Sequence, residues 1–526
     1  MVAFLSKNVT ICNMKNSQNS VEINVDLDLF ASKTINDLQE KIKNQSQEIT
    51  ALEKQVAWFK QQFKLASHRQ FGKSSEKTVS FNLSMFDEKM DANDAEDSPQ
   101  NETITYTRKK KKTIGRHLDV SQFPKEQITH DLDESEKICH CGNTLQKAGE
   151  DTSIQVDHIP ETFKVIEHIT LKYCCRQCET IKSAKKPETA IPKCMATAGF
   201  IAEVITKKYE QHLPLYRQSK IFERLGAVIP DNTLGNWVMR AAESLLPLEE
   251  AYREQISFVS VLQSDDTKIK TLEPNKEGYF WGYHGCDTGN RFIFFEYSPC
   301  RGASVPNETL KHFAGILQTD GYSGYNDLRS KTSVISVGCW DHARRKFTDV
   351  IKVSDKHKKG KAAELLLSIN KLYEIEREVK EASFDERKSY RQKNAKPILD
   401  FIHEEVLKID APPKSLLGIA VTYAKNQWPY LTSYIDHGSI PISNCWMENQ
   451  IRPFAVGRRN WLFTGTPESA NKAALLYSLI QTCRMNDIDP RKYLEHVLNL
   501  SNEIRRGNIA AASLLPQFID KSILKN

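Results

Sequence analysis

Two aspartates close short apolar runs. Phe258-Val-Ser-Val-Leu-Gln-Ser-Asp265-Asp266 is rich in β-formers, and Gly315-Ile-Leu-Gln-Thr-Asp320-Gly has the same character. Acids at the ends of neighbouring strands converge on one edge of a sheet. They repel one another and are tolerated when divalent cations neutralise them. Mg²⁺ prefers hard oxygen ligands and keeps open water positions. Two such ions about 3.5–4 Å apart can activate a nucleophile and stabilise a leaving oxygen in phosphoryl transfer. A third acid is wanted, and Glu448 is the candidate. It opens a predicted helix that also carries Arg452, Arg458 and Arg459, cations suited to phosphodiester contact. Asp266 is read as a neighbour on the opposite strand face, because alternate residues of a strand point apart.

A second cluster is made of cysteines. Cys175-x-x-Cys178 has the spacing with which two thiolates in a tight turn chelate one tetrahedral Zn²⁺, and Cys139-x-Cys141 lies upstream. His140 and Cys174 sit beside these ligands, so the assignment can slip by one. Four thiolates leave no open position, which makes the expected zinc structural. Between the pairs, Ile154/Val156 and Val165/Ile166/Ile169 alternate as short strands do, and a zinc-ribbon-like β module fits.

Elements must position these residues. After the Asp265 run, Tyr279–His284 and Phe292–Tyr297 read as strands separated by turn residues, 306–314 as a helix, and Val334–Cys339 as a strand leading into the basic helix Trp340–Phe347. That is a mixed α/β sheet. Residues 341–440 then read as mostly helical. Residues 331–400 hold 17 Lys and Arg against 11 Asp and Glu, an excess equal to the +6 of the whole chain. Upstream, 199–245 reads as a helix, a break at Gly226 and a second helix from Asp231 or Asn232. That is a helix-turn-helix shape, which serves DNA readers and ordinary packing units alike.

At the N-terminus, Ile35, Leu38, Ile42, Gln45, Ile49, Leu52, Val56, Phe59 and Phe63 recur in steps of three and four. Such a seam needs a partner, so a homo-oligomer through a coiled coil is expected. Residues 87–98 are acidic and 108–112 are Arg-Lys-Lys-Lys-Lys, a solvated linker. With 526 residues, 40% of them hydrophobic, the chain is multidomain and not wholly disordered. No apolar run approaches a membrane span, and four apolar residues after Met1 are too few for a signal peptide, so a cytoplasmic protein with no membrane partner is expected. Twelve cysteines are far below disulfide density.

The chain resembles the transposases of the insertion-sequence-66 family. The resemblance rests on long motifs in order: Phe71–Lys77, the cysteine module through Cys178, His212–Gln218, Leu262–Thr267, Leu317–Tyr325, Gly338–Phe347, Ile451–Phe463 and Ala473–Ile480. It implies a leucine-zipper-like N-terminus, a zinc-finger-like module and a ribonuclease-H-like catalytic core with a helical insertion before the third acid. Asp265, Asp320 and Glu448 would be the catalytic carboxylates holding Mg²⁺ or Mn²⁺. His342, Arg344 and Arg345 would join Arg452, Arg458 and Arg459 on DNA. The implied activity is cutting DNA at the terminal inverted repeats of a mobile element and joining the freed 3′ ends to target DNA, in a nucleoid-associated setting and with element-encoded accessory proteins in many members. Two departures stand out. Ile442-Ser-Asn-Cys-Trp-Met-Glu448-Asn replaces the usual Asp-Asn-Asn-Ala-Ala-Glu-Arg, and Asp341 stands where Ala is usual. They motivate an alternative, a catalytically inactive element-derived DNA-binding protein.

The expected domains are a coiled coil (30–67), a charged linker (68–130), a zinc module with ligands Cys139, Cys141, Cys175 and Cys178 (131–190) and a helical DNA-binding region (196–250). The catalytic core follows in two parts (256–350 and 441–500) around a helical insertion (351–440), with a C-terminal tail (501–526).

Overall fold

A computed structural model describes residues 22–71, 161–174, 181–183, 188–192, 194–273, 276–353 and 360–524. Residues 72–130 of the expected linker, Cys139, His140, Cys141, Cys175 and Cys178 lie outside these residues, as do Ile154 and Val156, while residues 68–71 continue the first helix.

One long helix opens the described chain, α1 (Glu22–Phe71). All eight apolar seam residues from Ile35 to Phe63 are 51–77% exposed. Toward its end the helix packs on α8 (described below) and buries Leu65. Two short strands, β1 (Lys172–Cys174) and β2 (Ile181–Ser183), pair antiparallel. Residues 161–171 carry no strand and expose Val165, Ile166 and Ile169. The alternation read there as a strand therefore finds neither a ladder partner nor a buried face among the described residues.

Four helices follow: α2 (Ala198–Tyr209), α3 (Leu215–Arg224), α4 (Asp231–Ser244) and α5 (Leu246–Ile256). Thr197 caps α2 by accepting from the Phe200 N–H. Gly226 takes φ +91° after α3, a left-handed backbone that suits glycine, and α4 starts at Asp231 as its sequence predicts. Edge-to-face contacts of Phe200 with Phe222 and Trp237 join α2, α3 and α4. Tyr216, Arg217, Lys220 and Arg224 remain exposed on α3.

The central sheet holds β3 (Val261–Lys270), β4 (Glu277–Asp287), β5 (Asn290–Ser298), β6 (Gly315–Gln318) and β7 (Val334–Val337), in the order β5-β4-β3-β6-β7. The first three strands form an antiparallel meander, while β6 and β7 run parallel to β3. Short helices α6 (Ser304–Thr309) and α7 (Asn326–Arg329) make the crossovers. Asp265 is not at a strand end as the sequence suggested. The hairpin with β4 carries β3 on to Lys270, and Asp265 sits where the parallel neighbour β6 stops.

α8 (Trp340–Val353) leads into α9 (Lys361–Glu378), α10 (Phe384–Asn394), α11 (Lys396–Lys408) and α12 (Leu416–Ser433). These helices build a second hydrophobic core around Trp340, Phe347, Leu365, Ile369, Ile402 and Val406. Arg391 is fully buried among them. Its guanidinium bonds Glu376 at 2.7 and 2.6 Å and donates to the carbonyls of Tyr434, His437 and Ile440, a satisfied buried charge.

The chain returns to the sheet with α13 (Cys445–Trp461), α14 (Pro467–Met485), α15 (Pro490–Asn499) and α16 (Ser501–Arg505). α14 runs along edge strand β5. Thr482 Oγ1 accepts from the Ile293 N–H at 3.1 Å and Ser478 Oγ from the Phe295 N–H at 2.8 Å. Four helical residues span about 6 Å and two strand residues about 6.8 Å, so the two repeats match. Hydroxyls thereby satisfy the free edge. Residues 501–524 are no loose tail: Leu514 and Leu515 are buried, and the Leu514 carbonyl accepts from Tyr493 Oη. Among the described residues no helix is long and apolar enough to cross a membrane.

Candidate active site

Parallel pairing of β3 with β6 puts Gln263 opposite Gln318. Two residues later on each chain come Asp265 and Asp320, so both acids stand on one face at equivalent heights. The glutamines form the floor beneath them. Gln263 Nε2 donates to Gln318 Oε1 at 2.6 Å and to the Ser443 carbonyl at 3.4 Å. Gln263 Oε1 accepts the Met447 N–H at 3.1 Å and faces His284 Nδ1 at 3.3 Å. Burial pulls the His284 pKa down to about 3, so the ring is neutral and Nδ1–H is the donor. Gln318 Nε2 donates to the Gly338 and Pro441 carbonyls at 3.2 and 2.9 Å. Two buried amides thus tie β3, β6, the end of β7 and the first turn of α13 into one satisfied network.

That network delivers Glu448. Asn444 Nδ2 donates to the Ser264 carbonyl at 3.3 Å, and Met447 fills the space beside Gly282, the β4 partner of Asp265. A Cβ at Gly282 would meet the Met447 methyl at 2.0 Å and the Phe295 ring at 2.9 Å, so the absent side chain leaves room for Met447 against the strand. Trp446, one of the departures from the usual motif, packs edge-to-face on His284, with the Arg291 guanidinium over its ring. The divergent segment is anchored.

Burial pushes the Asp265 carboxyl up to about 8, and the charge of Asp320 adds to it; Asp266 and Glu448 act in the same direction, and the Asp266 N–H bond to Asp265 Oδ1 opposes them. The side-chain charges acting on Asp265 are all acidic. This all-oxygen, charge-repelled set fits Mg²⁺ or Mn²⁺. Asp266 points away and is neutralised by Arg301 at 2.8 Å. Asp320 accepts the Tyr322 N–H at 2.9 Å, and Arg329 donates to its carbonyl and to Thr319.

The basic residues divide. Arg345 Nη2 lies 3.4 Å and His342 Nδ1 4.0 Å from Glu448. Burial lowers the His342 pKa, against the pull of Asp320 and Glu448. Arg344 turns instead to the insertion, 3.5 Å from Asp341 and over the Tyr373 ring, while Tyr373 Oη donates to Asp341 at 2.6 Å. The unusual Asp341 therefore holds Arg344 away from the acids. Arg452 and Arg459 are exposed along α13, and Arg458 donates to the Lys268 carbonyl. The sequence reading missed Gln263 and Gln318, although the repeat Gln-x-Asp before both acids was the available signal.

Comparison with known proteins identifies the family. The family model described as Transposase IS66 family matches residues 193–472. The zinc-finger binding domain of transposase IS66 matches 136–179, the IS66 C-terminal element 478–503, and a model described as transposase C of IS166 homeodomain 58–127. Two uncharacterized proteins of Sinorhizobium fredii are similar: y4hP, 32% identical over 68% of this chain and 70% of its own length, and y4jD, 30% identical over 72% and 78%. The chain belongs to the IS66 family of transposases.

Proposed function

We propose that the protein cleaves the terminal inverted repeats of its element and joins the 3′ ends to target DNA, with Asp265, Asp320 and Glu448 as the catalytic carboxylates. The observation that supports this is that Asp265, buried on β3, is raised by the charges of Asp320, two residues past β6, and of Glu448 on α13 as well as by its burial. The strand order β5-β4-β3-β6-β7, antiparallel then parallel, supports a ribonuclease-H-like core. Divalent cations held by the three acids would supply charge neutralisation and activation of the attacking oxygen. Water attacks the phosphodiester at the element end and the bond to the 3′ oxygen breaks, leaving a 3′ hydroxyl. That hydroxyl attacks a target phosphodiester, whose own 3′ oxygen leaves. Arg345 and His342 flank Glu448 and orient the scissile phosphate, while Arg452, Arg458 and Arg459 track the DNA backbone along α13. Arg344, held by Asp341 and the Tyr373 ring, adds to the same DNA contact.

The exposed α1 seam supports assembly of copies through a coiled coil. The zinc-finger match supports structural Zn²⁺ on Cys139, Cys141, Cys175 and Cys178. Accessory proteins encoded with the element are further partners, and the setting is the cytoplasm at the nucleoid. The test is joining of a labelled oligonucleotide carrying the element's own end, with Mg²⁺ or Mn²⁺, beside EDTA and Asp320→Asn. Metal-dependent product lost in the variant is expected. Binding without cleavage, after accessory proteins are added back, would favour the inactive-binder alternative.

A further inference from the structure

Beside the three acids lies a second donor set of different chemistry. Cys339 lies in the short link between β7 and α8, His342 stands in the first turn of α8, and Glu448 in the first turn of α13. One ligand atom from each lies within 4.8 Å of the other two. His342 Nδ1 and Glu448 Oε1 are 4.0 Å apart, both shielded from solvent and both without a hydrogen-bond partner. Buried polar atoms of this kind call for a missing partner. Cys339 Sγ is fully buried and already accepts the Asn444 N–H at 3.2 Å, an outer contact typical of metal thiolates.

We infer that Cys339, His342 and Glu448 form a binding site for Zn²⁺, separate from the all-carboxylate site but sharing Glu448 with it. Thiolate, imidazole and carboxylate are the donors of tetrahedral zinc and unsuited to Mg²⁺, which demands oxygen. Tetrahedral zinc, with bonds of about 2.0–2.3 Å, holds its donors roughly 3.3–3.8 Å apart. Reaching that spacing takes side-chain movement of about half an ångström across the 4.0 Å His342–Glu448 gap and up to about 1 Å at Cys339, within rotamer adjustment. Three protein ligands leave a fourth position for water or a phosphate oxygen. Glu448 cannot fully serve both sites, so zinc here opposes Mg²⁺ at Asp265 and Asp320. Binding of zinc does not rest on the transposase reading; the opposition to catalysis does.

The test counts metal on the full chain. After zinc loading and dialysis, Cys339→Ser and His342→Gln are each expected to hold one zinc per chain fewer than the wild type, while Cys445→Ser, a nearby thiol outside the set, holds the full complement. Equal zinc in all folded proteins overturns the site. Anomalous scattering at the zinc edge in wild-type crystals gives an answer independent of any variant: a peak bounded by Cys339 Sγ, His342 and Glu448 is expected, and its absence overturns the site. In the joining reaction, zinc is expected to inhibit and a tenfold rise in Mg²⁺ to relieve it; inhibition insensitive to Mg²⁺ overturns the competition. Failure of joining in every arm would sink the transposase reading while leaving the zinc count intact.

Discussion

The α1 seam and the acid cluster invert the usual rules of burial in opposite directions. Along α1, eight large apolar residues from Ile35 to Phe63 remain in water. At the centre of the sheet, Asp265 is buried beside Asp320 and Glu448, with only acidic side-chain charges acting on it. Each region is unfavourable alone. The first loses about 25 cal/mol for every Å² of apolar surface left uncovered, and the second keeps like charges close in a medium that solvates them poorly. Under the proposed function each would be completed by something outside the chain: an apolar partner in one case, cations in the other. The local frustration points to function in both, and the chemistry of the missing piece differs because the imbalance differs.

The sharpest way to break this contrast is at the acids. Asp265→Asn should keep the fold and DNA binding but lower strand joining by roughly 10³-fold or more, as loss of a main transition-state electrostatic group does; joining within tenfold of wild type would remove Asp265 from the catalytic set. At the seam, Leu52→Asp should convert the assembly to smaller species in sedimentation, because a charge at a seam position cannot be buried. An unchanged sedimentation profile would mean that α1 packs on something else. Gln318→Leu should lower joining by about 10–100-fold, the usual cost of losing an outer-shell contact, and the deficit should persist at saturating Mg²⁺, since Glu448 would be misplaced rather than absent.

The smallest effect is one of pH. The folded carboxyl of Asp265 is raised to about 8, above an unfolded value of about 3.9. Between those values the folded state holds a proton that the unfolded state has lost, so stability falls as pH rises from about 4 to 8. Without metal, the melting temperature should decline over that window. Asp265→Asn should flatten the decline and stabilise the protein near pH 8 by about 1–2 kcal/mol, the scale of relieving a strained functional site. A decline of the same steepness in both proteins would put the pH dependence elsewhere.

Much of the site was legible because its acids sit in local patterns. The runs around Asp265 and Asp320 alternate as strands, and Glu448 begins a helix whose arginines recur along the sequence. The insertion was legible too, from helical periodicity between 351 and 440. What escaped were contacts across long sequence separations. Gln263 reaches Ser443 and Met447, some 180 residues away, and nothing local distinguishes a glutamine in a strand from a solvated one. Gly282 makes room for the Met447 side chain that arrives from α13 and for the Phe295 ring of β5. The fate of Arg344 depended on Tyr373, which belongs to the insertion. The position of Asp265 was misread as a strand end because the sequence shows where a turn begins, not where a parallel neighbour stops.

The hydroxyl seal on β5 also has a consequence in time. Ile293 and Thr482 are 189 residues apart. At about 5–20 residues per second of synthesis, the β5 edge stays open for roughly 10–40 s after it emerges. Glu448 is made near the end of that interval, immediately before the sealing helix. A chain cut short in the insertion would therefore carry an unsealed strand edge and lack Glu448. Completion of α13 and α14 closes the edge and brings Glu448 to the sheet almost together.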